Sequence, residues 1–264
     1  MGRIIAIANQ KGGVGKTTTA VNLAAALAEA RRKVLLVDLD PQGNATMASG
    51  VDKHEVELSG CEVLLEEADA ADAIVATKAG YDLLPGNGDL TAAEVKLMDA
   101  MAREQRLRER LEPLREKYQY ILIDCPPSLH LLTLNGLTAS SGVLVPLQCE
   151  YFALEGLSAL VDTIRAVQAK LNPELEIEGI LRTMYDVRNN LSNDVSNQLQ
   201  EHFGDKVYRT VVPRNVRLAE APSHGQSIVE YDRASRGGIA YLGLAGEIIR
   251  RERTRDSNPA KETP

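Results

Sequence analysis

Short apolar runs alternate with longer amphipathic stretches along the whole 264-residue chain. RIIAIAN (3–9), KVLLVDLD (33–40), YDLLP (81–85), YQYILIDCPP (118–127), GVLVPLQ (142–148), IEGILRTMY (177–185) and KVYRTVVP (206–213) predict short buried strands. Between them the spacing predicts helices over 17–30, 90–111, 154–171, 192–203 and 235–251. Such alternation implies an α/β fold, a single-domain, mainly parallel twisted sheet with helices on both faces and right-handed crossovers. Ligands in sheets of this kind sit beyond the carboxyl ends of the strands, which directs attention to residues 10–18, 38–44 and 124–128. No internal repeat or linker interrupts the pattern, so residues 1–252 are expected to form one domain. From residue 253 the sequence RTRDSNPAKETP loses apolar periodicity, which predicts a disordered tail over 253–264.

Composition narrows the class without naming a task. A net charge of -7 argues against a broadly basic surface, so any nucleic-acid site has to be local. Cys61, Cys125 and Cys149 form no C-x-x-C pair, which disfavours a disulfide framework or zinc site and favours a reducing compartment. The chain enters an apolar strand directly, with no signal-peptide core and no run of ~18 apolar residues, so a cytoplasmic protein is expected. His54, His130, His202 and His224 show no spacing suited to a metal or a catalytic base. Residues 51–79 carry no readable signal.

The chemistry is concentrated in NQKGGVGKTTT, residues 9–19. A strand running into a glycine-rich turn and then a helix gathers backbone N–H groups around an anion. Gly12, Gly13 and Gly15 let that backbone approach phosphate oxygens. Lys16 is expected on the β- and γ-phosphates, Thr17 on a magnesium ion and Thr18 on the α-phosphate. Two features depart from the usual G-x-x-x-x-G-K-[ST] loop: Gln10 stands where the first glycine belongs, and Lys11 has no task in that pattern. Magnesium also needs acids at neighbouring strand ends, and Asp38, Asp40 and Asp124 are the candidates. Asp124 closes YILID and reads as a Walker B aspartate acting on the metal through water. Asp38 and Asp40, two apart in an extended segment, face one side, which suits two tasks: supporting the metal shell and orienting the attacking water.

Four stretches, KGGVGKTT (11–18), LLVDLDPQGNAT (35–46), YILIDCPPS (120–128) and VPRNVRLAEAPSHG (212–225), closely resemble the ParA/MinD family of deviant Walker A P-loop NTPases, above all its small chromosomal ParA (Soj) branch. That resemblance implies an ATP- and Mg2+-dependent ATPase that closes a nucleotide-sandwich homodimer. By the same resemblance Lys11 acts in trans on the partner subunit's phosphates, resembling an arginine finger. Asp40 then orients the water, Asp38 supports magnesium, Asp124 completes that shell, and Gly12 lies where two loops approach each other. Pro213 and Asn215, with Met184, are assigned to the adenine pocket.

The segment KVYRTVVPRNVR, residues 206–217, holds four basic residues and no acid. Alone, such arginines more often belong to a solvated surface. The resemblance points instead to nonspecific double-stranded DNA, with Arg188 and Arg217 as the contacts and Arg214, Arg209 and Lys206 as helpers. It implies a nucleoid-associated partition ATPase, slow alone and stimulated by a ParB-like centromere-binding protein, serving a chromosome or a plasmid. The alternative is a MinD-like positioning ATPase, but the ending RRERTRDSNPAKETP lacks the apolar helix face that membrane attachment needs, so no membrane partner is expected. A nitrogenase-type iron protein would need cluster cysteines that these three do not match.

Overall fold

The structure, a computed structural model, describes residues 1–257. In chain order the elements are β1 (Arg3–Ile7), α1 (Lys16–Glu29), β2 (Val34–Asp38), α2 (Asn44–Ala48), α3 (Gly60–Leu64), α4 (Ala70–Ala73), β3 (Val75–Ala76), β4 (Asp82–Leu84), α5 (Leu90–Leu97), α6 (Arg106–Leu111), β5 (Tyr120–Asp124), α7 (Leu131–Ala139), β6 (Gly142–Gln148), α8 (Ala153–Lys170), β7 (Glu176–Tyr185), α9 (Asn190–Phe203), β8 (Val207–Pro213), α10 (Val216–Glu220), α11 (Ile228–Asp232) and α12 (Arg236–Ser257).

All the β-strands join one eight-stranded sheet in the order β3-β4-β2-β5-β1-β6-β7-β8. Every pairing is parallel except the short β3–β4 edge. The central strands are buried on both faces, which is why they read as unbroken apolar runs. One face packs α3 and α5 to α9 through Leu64, Leu97, Leu107, Leu157 and Leu199; the other packs α1, α11 and α12 through Leu23, Leu27, Ile228, Tyr241 and Leu244. Two rows of buried aliphatic side chains therefore clamp the sheet. Its carboxyl ends are left to the loops.

Two expectations change, and one helix has no sequence pattern to announce it. Residues 90–111 form two helices rather than one, although MDAMAREQ at 98–105 is rich in helix formers. The buried Asn135 side chain accepts a hydrogen bond from Leu107 N (3.1 Å) and donates to Arg103 O (2.8 Å), so a tertiary contact starts α6 afresh. Helix α7 has no polar face: it is buried nearly all round and shows no amphipathic period. The last helix runs to Ser257, past the expected boundary at 252, and the rest of the expected tail lies outside the described residues.

Candidate nucleotide site at the carboxyl ends of the strands

The loop between β1 and α1 is shaped by two glycines. Gly13 (φ 74°) and Gly15 (φ 88°) occupy the left-handed region, where a side chain would strain the backbone. Gly15 also precedes α1 as its N-cap, and no side chain caps that helix start. Its first N–H groups therefore face the loop. A Cβ on Gly12 would meet nothing within 4 Å, so no neighbour in this chain requires a glycine there. Long-range contacts hold the loop from the other side. Asn9 Nδ2 donates to Pro146 O (2.8 Å), and the Thr183 hydroxyl donates to Val14 O (2.8 Å).

Lys16 is buried, and its Nζ donates to Lys11 O (3.2 Å). Burial pulls its ammonium below the usual lysine range, against the attraction of Asp124 and Asp40. The Lys11 side chain turns the other way. Its Nζ lies 2.6 Å from Glu150 Oε2, beyond the end of β6, in an exposed ion pair.

Register pairing puts Asp38 beside Asp124, and Asp124 beside Ile7, so both acids stand at the base of the glycine loop. Their environments differ. Asp38 accepts from Asp40 N (3.2 Å), Thr46 N (2.8 Å) and the Thr46 hydroxyl (2.7 Å). Thr46 Oγ1 in turn accepts from Gly86 N (2.9 Å), and a Cβ on Gly86 would lie 2.4 Å from Asp38 O. Asp38 thus ties together the loops after β2 and β4, and both of its oxygens are engaged. Burial, reinforced by Asp40, pushes its carboxyl up to about 7 despite the Thr46 hydrogen bonds.

Asp124 is fully buried; the Thr17 hydroxyl beside it favours its ionised form, but among the described residues neither carboxylate oxygen is held in a well-formed hydrogen bond. Burial first, and Asp38 second, push its carboxyl well above the usual range. An orphaned buried carboxylate next to a second acid is costly unless a cation sits with them. The donor set of Asp124 and the neighbouring Thr17 hydroxyl fits a hard divalent cation such as Mg2+. Asp38 is the poorer candidate, since three protein donors already use its oxygens. Asp40 is nearly buried, its Oδ1 accepts from Gln42 N (3.0 Å), and it is close enough to act on Lys16.

The residues expected at the adenine fall together. Met184 precedes Tyr185, which pairs in register with Pro213, and Asn215 follows two residues on. Met184 has φ 48°, a left-handed conformation unusual inside a strand. Asn215 caps α10 by accepting from Arg217 N (2.8 Å). Thr18 lines, with Thr17, Asn44 and Met47, a separate cavity of about 430 Å³ beside the start of α1.

The expected basic patch divides. Arg188 pairs with Asp186 (2.8 Å), Arg217 pairs with Glu220 (2.8 Å), and exposed Arg214 lies between β8 and α10; all three are at the carboxyl rim. Lys206 precedes β8 and pairs with Glu176 (3.4 Å) at the start of β7, so it belongs to the opposite end of the sheet. Arg209 lies on the β8 side of that division, two residues into the strand. Five residues that anchor the site gave no sequence signal as such: Asn9, Thr46, Gly86, Glu150 and Thr183. Of these, only Asn9 and Thr46 lie inside the quoted stretches 9–19 and 35–46.

A family model described as an AAA domain, AAA_31, matches residues 2–177. Over 94% of this chain and 98% of the other, the sequence is 55% identical to the sporulation initiation inhibitor protein Soj of Bacillus subtilis. It is 51% identical to the chromosome partitioning protein ParA of Caulobacter vibrioides over 98% of both chains. The chain belongs to the ParA/Soj family of partition ATPases. Among solved structures it resembles a Mycobacterium smegmatis protein described as cobyrinic acid a,c-diamide synthase with bound ADP and magnesium, with a TM-score of 0.85, 41% identity and 96% of each chain covered. The ParA/Soj membership agrees with the resemblance carried by the four motifs. No helix among the described residues is long and apolar enough to cross a membrane.

Proposed function

We propose that this protein is an ATP- and Mg2+-dependent partition ATPase whose ATP-bound form is a homodimer that rides on DNA of any sequence. The observation that carries the reading is the division of labour between the two loop lysines: Lys16 is folded into its own loop, whereas the Lys11 ammonium points out of it, to Glu150. A cation placed outside its own site is suited to serve a partner's. Gly12 supports the same arrangement, because nothing in its own chain requires a glycine there.

Within one subunit, the start of α1 and Gly13 to Lys16 hold the phosphates, and Thr17 and Asp124 hold the metal. The metal, when bound, neutralises charge on the β- and γ-phosphate oxygens. Asp38 keeps the loop after β2 in place through Thr46, which fixes Asp40 where it can orient water. Lys11 of the partner subunit adds the second cation on the charge that develops during transfer. Met184, Pro213 and Asn215 flank the adenine.

Arg188, Arg214 and Arg217 at the carboxyl rim form the DNA surface, doubled by the two-fold. The exposed ion pairs Arg188–Asp186 and Arg217–Glu220 are screened by solvent, so a phosphate can displace them. A ParB-like partner with a basic segment suits the acidic balance of the chain and stimulates slow hydrolysis, which releases the dimer from the nucleoid. Retention on a random-sequence duplex tests this reading. Binding with ATP but not ADP, weakening steeply with salt, is expected; equal retention in both nucleotides overturns it.

A further inference from the structure

At the amino ends of the strands, on the side of the sheet opposite the nucleotide loop, lies a cavity of about 990 Å³. Its walls are the turn between α1 and β2 with Arg31, Arg32 and Lys33, the segment before β5 with Arg115 and Lys117, and Arg253 of α12. Six cations line it against two acids, Glu116 and Glu252, in a chain that as a whole has 37 acidic and 30 basic residues. The charge balance is thus inverted locally.

These cations are not placed there to satisfy neighbouring acids. Among the described residues, Arg31, Arg32, Lys33, Lys117 and Arg253 make no ion pair; only Arg115 does, with Glu112 at 3.1 Å. Glu252 is engaged by the Tyr120 hydroxyl. The Arg32 Nε is shielded from solvent and has no hydrogen-bond partner. Concentrating like charges costs stability, and a bound anion would offset that cost.

The floor is preformed. Gly2 N donates to Arg115 O (2.8 Å), Gln119 N donates to Lys33 O (2.8 Å), and Lys33 N donates to the Gln119 side chain (3.1 Å). A Cβ on Gly2 would lie 1.9 Å from Tyr118 O, so the segments are pressed together. Arg31 is held at φ 58° by a hydrogen bond from its N–H to Ala28 O (2.8 Å), which fixes where its side chain leaves the turn. A neighbouring cavity of about 420 Å³ shares Arg32, Lys33, Lys117 and Tyr118 and adds Val34, Gly80 and Asp82, so the excess of cations belongs to the larger cavity.

We infer that this cavity binds a small ligand carrying two or more phosphate groups, at a second anion site independent of the nucleotide loop. Its volume is that of a small-molecule site, and cations converging on it from two loops and a helix suit a compact polyphosphate. Guanidinium groups from two separate loops can grip neighbouring phosphates bidentately, and Lys33 and Lys117 add point charges between them.

The probe is inorganic pyrophosphate, titrated by calorimetry in metal-free buffer into full-length protein loaded with one equivalent of ADP, so that the nucleotide loop is filled and no excess diphosphate competes for the second site. One further site is expected, with Kd raised at least about ten-fold in Lys33→Ala and in Lys117→Ala, both exposed positions that leave the fold intact, and unchanged in the control Lys170→Ala. Arg32→Ala is expected to abolish it. Absence of binding in the protein loaded with one equivalent of ADP overturns the inference, as does equal weakening in the control. If Lys33→Ala and Lys117→Ala instead lower affinity for a random duplex while pyrophosphate does not bind, the face contacts nucleic acid and the inference also fails. ATP-dependent dimerisation, read in parallel, keeps this outcome separate from the fate of the partition mechanism.

Discussion

The ammonium of Lys11 lies 2.6 Å from the Glu150 carboxylate of its own chain, beside exposed Tyr151 and Phe152, while its carbonyl holds Lys16 in the loop. One residue therefore stabilises its own site through the backbone and points its charge away from it. Lys11→Ala is expected to keep nucleotide affinity within a few-fold, because the carbonyl is unchanged, and to lose ATP-driven dimerisation and stimulated turnover. Analytical ultracentrifugation with ATP checks this. A stable dimer with normal turnover removes the trans role.

Asp40 is placed by the Asp38 carboxylate, which accepts from its N–H, and by its own acceptance from Gln42 N. Replacing it with alanine should trap an ATP-bound, DNA-binding dimer. Phosphate release is expected to fall by about 10² to 10⁴ if it orients the water. Unchanged turnover assigns that task elsewhere.

Thr46→Val removes the hydroxyl that bridges Asp38 and Gly86 N while nearly preserving volume. A loss of about 1–3 kcal/mol in unfolding free energy by urea titration is expected, because a buried carboxylate and a buried N–H each lose a partner. A change within error would mean that the two loops are held by packing alone.

Asp38 is raised to about 7 by burial, with Asp40 adding to it, and Asp124 is raised as well, by burial and then by Asp38. In metal-free protein the folded state therefore holds protons that the unfolded chain has released by pH 5, and stability falls as pH rises towards 7. Melting temperatures without nucleotide should be higher at pH 5.5 than at pH 7.5, with the gap reduced in Asp124→Asn. Magnesium and ADP should reverse the trend, since they favour the ionised acids. A metal-free protein more stable at pH 7.5 contradicts the assignment.

Arg217 is paired with Glu220 and lies 3.7 Å from Asp232, yet half of its side chain is exposed. Arg217→Glu is expected to lower affinity for a random duplex by more than ten-fold while ATP-driven dimerisation persists. Lys206→Ala, at the far end of β8, should change it little.

The sheet was legible because its central strands are buried on both faces and end in acids at one rim, so Asp38, Asp40 and Asp124 could be placed from apolar runs alone. Local pattern failed wherever a distant residue decided the outcome. Asn135 splits residues 90–111 into α5 and α6, and a fully buried α7 has no polar face to betray it. Residues 206–217 looked like one basic cluster, but an extended strand advances about 3.3 Å per residue, so its two ends reach opposite rims. Glu150 and Thr46 became visible only when β6 and α2 were set against the loop. Nothing in either local sequence specifies those contacts.

The most direct test mixes two inactive variants, Lys11→Ala and Asp40→Ala, and measures phosphate release with ATP, random duplex and the partner protein. In a mixed dimer the subunit that retains Asp40 receives Lys11 from the other, so one complete site forms. Turnover per mixed dimer should return to at most about half of the wild-type dimer's, since each mixed dimer has one working site of two. No recovery, with mixed dimers shown to form, would mean that Lys11 acts within its own subunit.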